Sequence, residues 1–271
     1  GYLVQDSIWV KSGVTTKLEP GVRLYFVENA SFTVKGILNA QGTIDLPISL
    51  QAFSPEKPWQ GLTFNSLSTS NLKHFKVLYA NEAITINKTL VFADQIRISQ
   101  SGTYAVQIKN AELVMSHSTI DGVKGAGIIM DAFSKVSLQK SDILAADVGM
   151  FLHGGGELEA DNSTVRNSKM GMVWSGAPIL SIKSNWNFFN NKVDYVGLEG
   201  AQTFEVKNRR KAELKELEYR KLLERIKGEV SSLLLPKANN QMDLQIEQES
   251  GVSINGSFDL IAGYHQVEMI R

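Results

Sequence analysis

The sequence predicts an all-β fold: a parallel β-helix over residues 1–206, then one α-helix (207–236) and a short β segment (237–271). Three observations carry this. Apolar pairs recur 22 residues apart, each pair preceded by a small residue, as in "GIIM" (127–130), "GMFL" (149–152) and "GMVW" (171–174). The apolar runs are short and alternate with period 2, and polar turns such as "KSD", "DNST" and "HGGG" separate them, which is the pattern of strands. At Lys207 the composition breaks and helical spacing begins.

The repeat shows in three registers. Leu62, Ile84, Val106, Ile128, Met150 and Met172 form the first. Phe64, Ile86, Ile108, Met130, Leu152, Trp174 and Val196 follow two positions on. Val114, Val136, Leu158 and Leu180 form the second, with Leu138, Ala160, Ile182 and Phe204 two positions on. Ile98, Ile120, Ile143 and Val165 form the third, with one inserted residue. Three short strands per lap of about 22 residues, each lap stacked on the last, make a parallel β-helix. Ser141, Ser163 and Asn185 should pile up at one corner, where a polar side chain can bond the backbone of a turn.

Residues 207–229 hold nine Lys/Arg and five Asp/Glu. This stretch favours a helix, and Pro236 ends it. Tyr219, Leu223, Ile226, Val230 and Leu233 follow a 4-3-4-3 spacing and give one apolar stripe. Past the helix, 242–248, 252–261 and 265–270 alternate like strands. They are too few to bury a core of their own. They either pack on the β-helix or begin a further module.

Composition narrows the function classes. Lys plus Arg equals Asp plus Glu, at 28 each, so nothing favours a nucleic-acid partner. No uninterrupted apolar run reaches transmembrane length. The chain has no Cys, so disulfides and thiol nucleophiles are absent, which fits a bacterial exported protein. It opens at Gly1-Tyr2, and an export signal would lie outside it. The sequons at Asn29, Asn87, Asn162 and Asn255 matter only in a eukaryotic secretory pathway.

"SGVTTKLEPGVRLYF" (12–26), "FTVKGILNAQGT" (32–43) and "PWQGLTF" (58–64) resemble the opening laps of right-handed β-helix modules in bacterial exported proteins. The laps from 72 to 196 are similar to pectate-lyase-like and carbohydrate-binding or sugar-hydrolase repeats. The resemblance implies the right hand. It also implies export to the periplasm, cell surface or outside, and any activity would be that of a polysaccharide lyase or glycoside hydrolase. Such a fold serves many functions, so function must be argued from the site.

In such enzymes the resemblance places catalysis on an outward strand face. Here the outward row of the first register is Thr63, Thr85, Gln107, Ile129, Phe151, Val173 and Tyr195, with neither acid nor base. Hydrolysis needs two carboxyls, and a lyase needs a base beside a cation. The second strand face offers Glu159 and Asp161, with Lys183 one lap beyond. This is either a carboxylate pair or, more plainly, a salt-bridged ladder. Lys109, Asp131, His153 and Ser175 form a third row, in the order a Ser-His-Asp relay requires, or merely a polar stack beside a Gly-rich turn. No cofactor or metal is expected. Trp186 is read as an outward aromatic able to stack on a sugar ring.

Ile129, Phe151, Val173 and Tyr195 form an apolar flank that needs cover. The stripe Tyr219, Leu223, Ile226, Val230 and Leu233 is predicted to fold back over it. An extra residue in "NWNFFNN" would turn Tyr195 inward instead. The sequence therefore reads as a non-catalytic structural or interaction module of an exported or surface protein. The alternative is a protein that binds or cleaves an extended polysaccharide. Partners would be a polysaccharide or another domain of the same larger protein.

Overall fold

The computed structural model describes residues 1–176, 178–184 and 186–198, with the short strands Ile246–Gln248 and Tyr264–Gln266. It is a parallel β-solenoid of about nine turns. Each turn crosses three faces. The first carries Gly61–Asn65, Glu82–Asn87, Tyr104–Lys109 and Met170–Ser175, paired in parallel from lap to lap. The second carries Leu90–Asp94, Glu112–Ser116, Lys135–Gln139 and Glu157–Asp161. The third carries Phe75–Leu78, Arg97–Ser99 and Thr164–Arg166. The long strands Thr119–Met130 and Asp142–His153 turn the corner from the third face to the first without a break.

The predicted inward columns are the core. Leu62, Ile84, Val106, Ile128, Met150 and Met172 pair in register and are buried, as are Phe64, Ile86, Ile108, Met130, Leu152 and Trp174. Like side chains stacked at the strand spacing leave no room for water, so each lap buries its apolar face against the next. The third register, Ile98, Ile120, Ile143 and Val165, is buried in the same way and continues to Phe188.

The small residue before each pair has a physical reason. A Cβ added at Gly127 would lie 2.5 Å from the carbonyl oxygen of Gly149, and one at Gly149 would lie 2.5 Å from that of Gly171. Here alternation breaks. Ala126 and Ile129, three apart, join one cluster, while Ile128 and Met130 join the other. The first face therefore presents two outward columns.

The corner between the second and third faces repeats a left-handed residue on successive laps. These are His74, Gln95, His117, Lys140 and Asn162, with φ between 45° and 53°. Such a backbone is uncommon outside Gly and persists where the surroundings over-determine it. Here the N–H groups of Gln95, His117 and Lys140 donate to carbonyls of the following lap. The next position is a serine ladder. The backbone N–H groups of Ile96, Ser118 and Ser141 donate to Ser118, Ser141 and Ser163 Oγ at 3.0, 3.3 and 3.2 Å. The hydroxyls of Ser118, Ser141 and Ser163 donate to the carbonyls two residues back. Asn185, the expected continuation, lies outside the described residues. Ser141→Ala should leave the buried Ser118 N–H without its acceptor, costing about 1–3 kcal/mol. The amide of Ser118 should then exchange faster with solvent deuterium, and unchanged exchange would show that the ladder adds nothing.

Four expectations need correction. In the second register Leu113, not Val114, pairs with Val136 and is buried. One residue is inserted near the turn at Asp131–Ser134, and the register shift between Val123 and Ala126 restores the 22-residue count on the first face. Lys183 is not level with Asp161. Ala160 pairs with Ile182 and Asp161 with Ser184, so Lys183 is the extra residue of a bulge. That one residue shifts everything after it. Tyr195 pairs with Met172 and packs inward on Phe188, and Val196 takes its place in the outward row beside Val173. Trp186 does not face solvent. It is buried edge-on to Phe188.

No helix occurs among the described residues; the predicted helix 207–236 and its stripe lie outside them. Of the segment 237–271, Ile246–Gln248 pairs in parallel with Ile179–Ser184, and Tyr264–Gln266 pairs antiparallel with Val193–Leu198.

Candidate interaction surface

The outer side of the first face divides along the stack. Its N-terminal part is polar. The buried Tyr104 hydroxyl donates to Glu82 Oε2 at 2.6 Å and lies 2.8 Å from Thr85 Oγ1. Burial, and then the Glu82 carboxylate, push the Tyr104 phenol far above its ordinary pKa, so it stays a neutral donor. The C-terminal part is apolar. Ala126, Ile129, Val148, Phe151, Met170, Val173, Val193 and Val196 form one cluster with Tyr104, and Leu198 packs against it. Among the described residues every member of this cluster comes from the sheet's own strands. Yet Phe151 is 3% exposed and Val173 0%, although both point away from the solenoid core. Burial continues below the apolar part to Gln107, at 2% exposure, whose Oε1 has no hydrogen-bond partner among the described residues. The strip contains no carboxylate, imidazole or amine.

The predicted row of Lys109, Asp131, His153 and Ser175 comes only partly together. His153 Nδ1 and Ser175 Oγ meet across one lap. Asp131 is occupied elsewhere. Its carboxylate accepts from the backbone N–H groups of Asn110 and Phe133 and from the Ser134 hydroxyl, so it braces a turn. Lys109 serves the ladder through its carbonyl, which accepts from Lys88 N–H. On the second face, Glu159 pairs in register with Ser181 and Asp161 accepts from Asn162 Nδ2 at 2.9 Å. At the bulge the backbone of Lys183 is out of register with Asp161.

The third face holds a site that the sequence reading missed. An open groove of about 350 Å³ is lined by Lys76, Leu78, Tyr79, Arg97, Ser99, Gln100 and Asp121. Arg97 Nη2 donates to Asp121 Oδ2 at 2.7 Å, and its Nε to Ser99 Oγ at 3.0 Å. The pair is diagonal: Arg97 is level with Thr119, and Asp121 with Ser99. Arg97 and Asp121 thus sit in different outward columns, and only a full outward reading of the third register would have joined them. Further along, Arg166 bonds Asp142 at 3.4 Å and lies over the exposed ring of Phe189. Phe189 is therefore the outward aromatic of that lap.

At the neighbouring corner, burial alone would raise the Asp94 carboxyl. Hydrogen bonds from Ser116 and His117, with the Lys73 ammonium, outweigh it and hold the group below its usual range. Among the described residues no group of three His, Asp or Glu is placed to hold a metal ion. No helix among them is long and apolar enough to cross a membrane.

No curated protein matches the sequence. Among solved structures, an alginate lyase from Paenibacillus sp. str. FPU-7 aligns at 13% identity over 64% of this chain and 88% of that one, with a TM-score of 0.21. The family described as the right handed beta helix region matches residues 61–212, more than half of the sequence. With the stacked parallel laps of the solenoid, that match makes the chain a member of the right-handed β-helix family.

Proposed function

We propose that this chain is a non-catalytic interaction module, a stiff rod within an exported or surface protein. One observation carries the reading: the outer side of the first face, from Ile129 to Val196, is a continuous apolar strip with no group able to transfer a proton. An outward strip that is this apolar and this buried is a packing surface, with no acid or base to offer a substrate. Carboxylates elsewhere are engaged by cations, as in Arg97–Asp121, Arg166–Asp142, Lys169–Asp147 and Lys135–Glu157. Pectin, alginate and related acidic polymers should therefore pass through an assay of reducing ends and unsaturated products unchanged. Cleavage that disappears in Glu159→Gln or Asp161→Asn would replace this reading with an enzymatic one.

A second reading, contact with an extended polysaccharide, is favoured by the groove on the third face. Lys76 and Arg97 offer charge, Ser99 and Gln100 offer hydrogen bonds, and Tyr79 offers a ring. A glycan array probed with the full chain should then give binding to acidic polymers that Arg97→Ala weakens.

A further inference from the structure

We infer that the occupant of the apolar strip is the chain's own segment 211–234, which lies along the stack and closes the first face. This rests on the reading of the strip as a contact surface and names what it contacts. The first observation is burial. Ile129, Phe151, Val173 and Val196 point outward and are 0–3% exposed, in a cluster built among the described residues from one sheet alone. A single sheet face open to water exposes its large side chains, so something lies over this one.

The second observation is length. From Gln107 to Val196 the buried row climbs four laps, about 19 Å at a lap spacing of roughly 4.8 Å. The stripe Tyr219–Leu233, taken as a helix, covers about 21 Å at 1.5 Å per residue. It carries five apolar side chains on one side, while Arg220, Lys221, Glu224 and Arg225 fall elsewhere around the helix.

The third is connection. The described chain leaves the solenoid at Leu198, which itself packs on the strip. It returns to the last lap at Ile246–Gln248, paired with Ile179–Ser184. Residues 199–210 and 234–245 each span up to about 40 Å when extended. That suffices for a segment running down the strip and a return to the top. Gln107 adds a chemical requirement. Its buried Oε1 needs a donor, and the far end of the segment carries Lys227, Ser231 and Ser232.

The test uses the full-length chain and the absence of native Cys, so that an engineered thiol is unique. The Val173→Cys thiol, and that of Ile129→Cys as a second position, should react slowly with a soluble maleimide. Adding Leu223→Ser and Ile226→Ser should speed labelling about tenfold or more, because a cover that opens locally sets the rate. A core thiol from Val165→Cys should stay slow, which separates uncovering from unfolding. Fast labelling in the parent shows a bare strip and overturns the inference. Slow labelling unaffected by the two substitutions, or labelling that speeds only on dilution as expected of a covering second copy, also overturns it.

Cross-linking needs no loss of apolar contacts. Val173→Cys combined in turn with Leu223→Cys, Ile226→Cys and Val230→Cys should form an intramolecular disulfide in at least one pair, since bridging requires Cα atoms within about 7 Å. Only intermolecular products, or none, sink the proposal. Polymer cleavage would sink the non-catalytic reading while leaving these labelling outcomes as they are, so the two failures are distinguishable.

Discussion

Trp59→Ala is expected to lower the free energy of unfolding by about 3–5 kcal/mol. Trp59 closes a long lap, the one between Phe32 and Leu62, whose strands pair in register despite the extra residues. Its ring is fully buried and stacks on Phe26 at 4.2 Å between centroids, with 13° between planes. Its indole N–H donates to the Leu78 carbonyl at 3.1 Å. Alanine removes the ring and the indole bond to that carbonyl, two losses that add. Trp59→Phe separates them, since it keeps an apolar ring and loses only the bond. The denaturant midpoint should fall in the order wild type, Trp59→Phe, Trp59→Ala. Equal midpoints for the two variants would show that the ring's extra packing adds nothing beyond the bond.

Leu152→Ala should cost about 2–5 kcal/mol, because Leu152 sits fully buried between Met130 and Trp174 and close-packed neighbours relax only partly into the cavity. Lys135→Ala is the matched surface change. Its ion pair with Glu157, at 3.7 Å between half-exposed side chains, contributes roughly 0–1 kcal/mol. A shared midpoint for the two variants would mean that the inward and outward faces have been exchanged.

The sequence carried the stack well because inward positions repeat for one physical reason. A residue that faces the core also faces its counterparts above and below, and all must be apolar. That made the columns through Ile128 and Met150 readable. It could not show where a lap takes in an extra residue. Val114 and Leu113 are both apolar, so only lap-to-lap pairing tells that Leu113 faces inward. The extra residue at Lys183 was equally hidden. A bulge in a polar run leaves no hydrophobic trace, and its effect surfaced only downstream, where Tyr195 turned inward and Val196 outward.

The candidate sites were legible in proportion to how local their chemistry is. His153 and Ser175 share one column and do meet. Asp131 shares the column too, but two donors in its own turn and the Asn110 N–H of the preceding lap claim the carboxylate. A period aligns positions without saying where a flexible polar side chain points. The Arg97–Asp121 pair joins neighbouring columns and was invisible to a reading that followed columns singly.

Where the serine ladder and the left-handed corner repeat, each lap is a template for the next, with the same turn and the same donor offered upward. Such a molecule has a natural unit of growth. Removing or duplicating one complete lap between Leu62 and Met172 returns each corner to a partner of the same kind, whereas a change of a few residues forces a bulge like the one at Lys183. The reach of the rod is therefore graduated, about 4.8 Å per 22 residues. Lineages of this fold should differ in length by whole turns, as rulers cut at their marks.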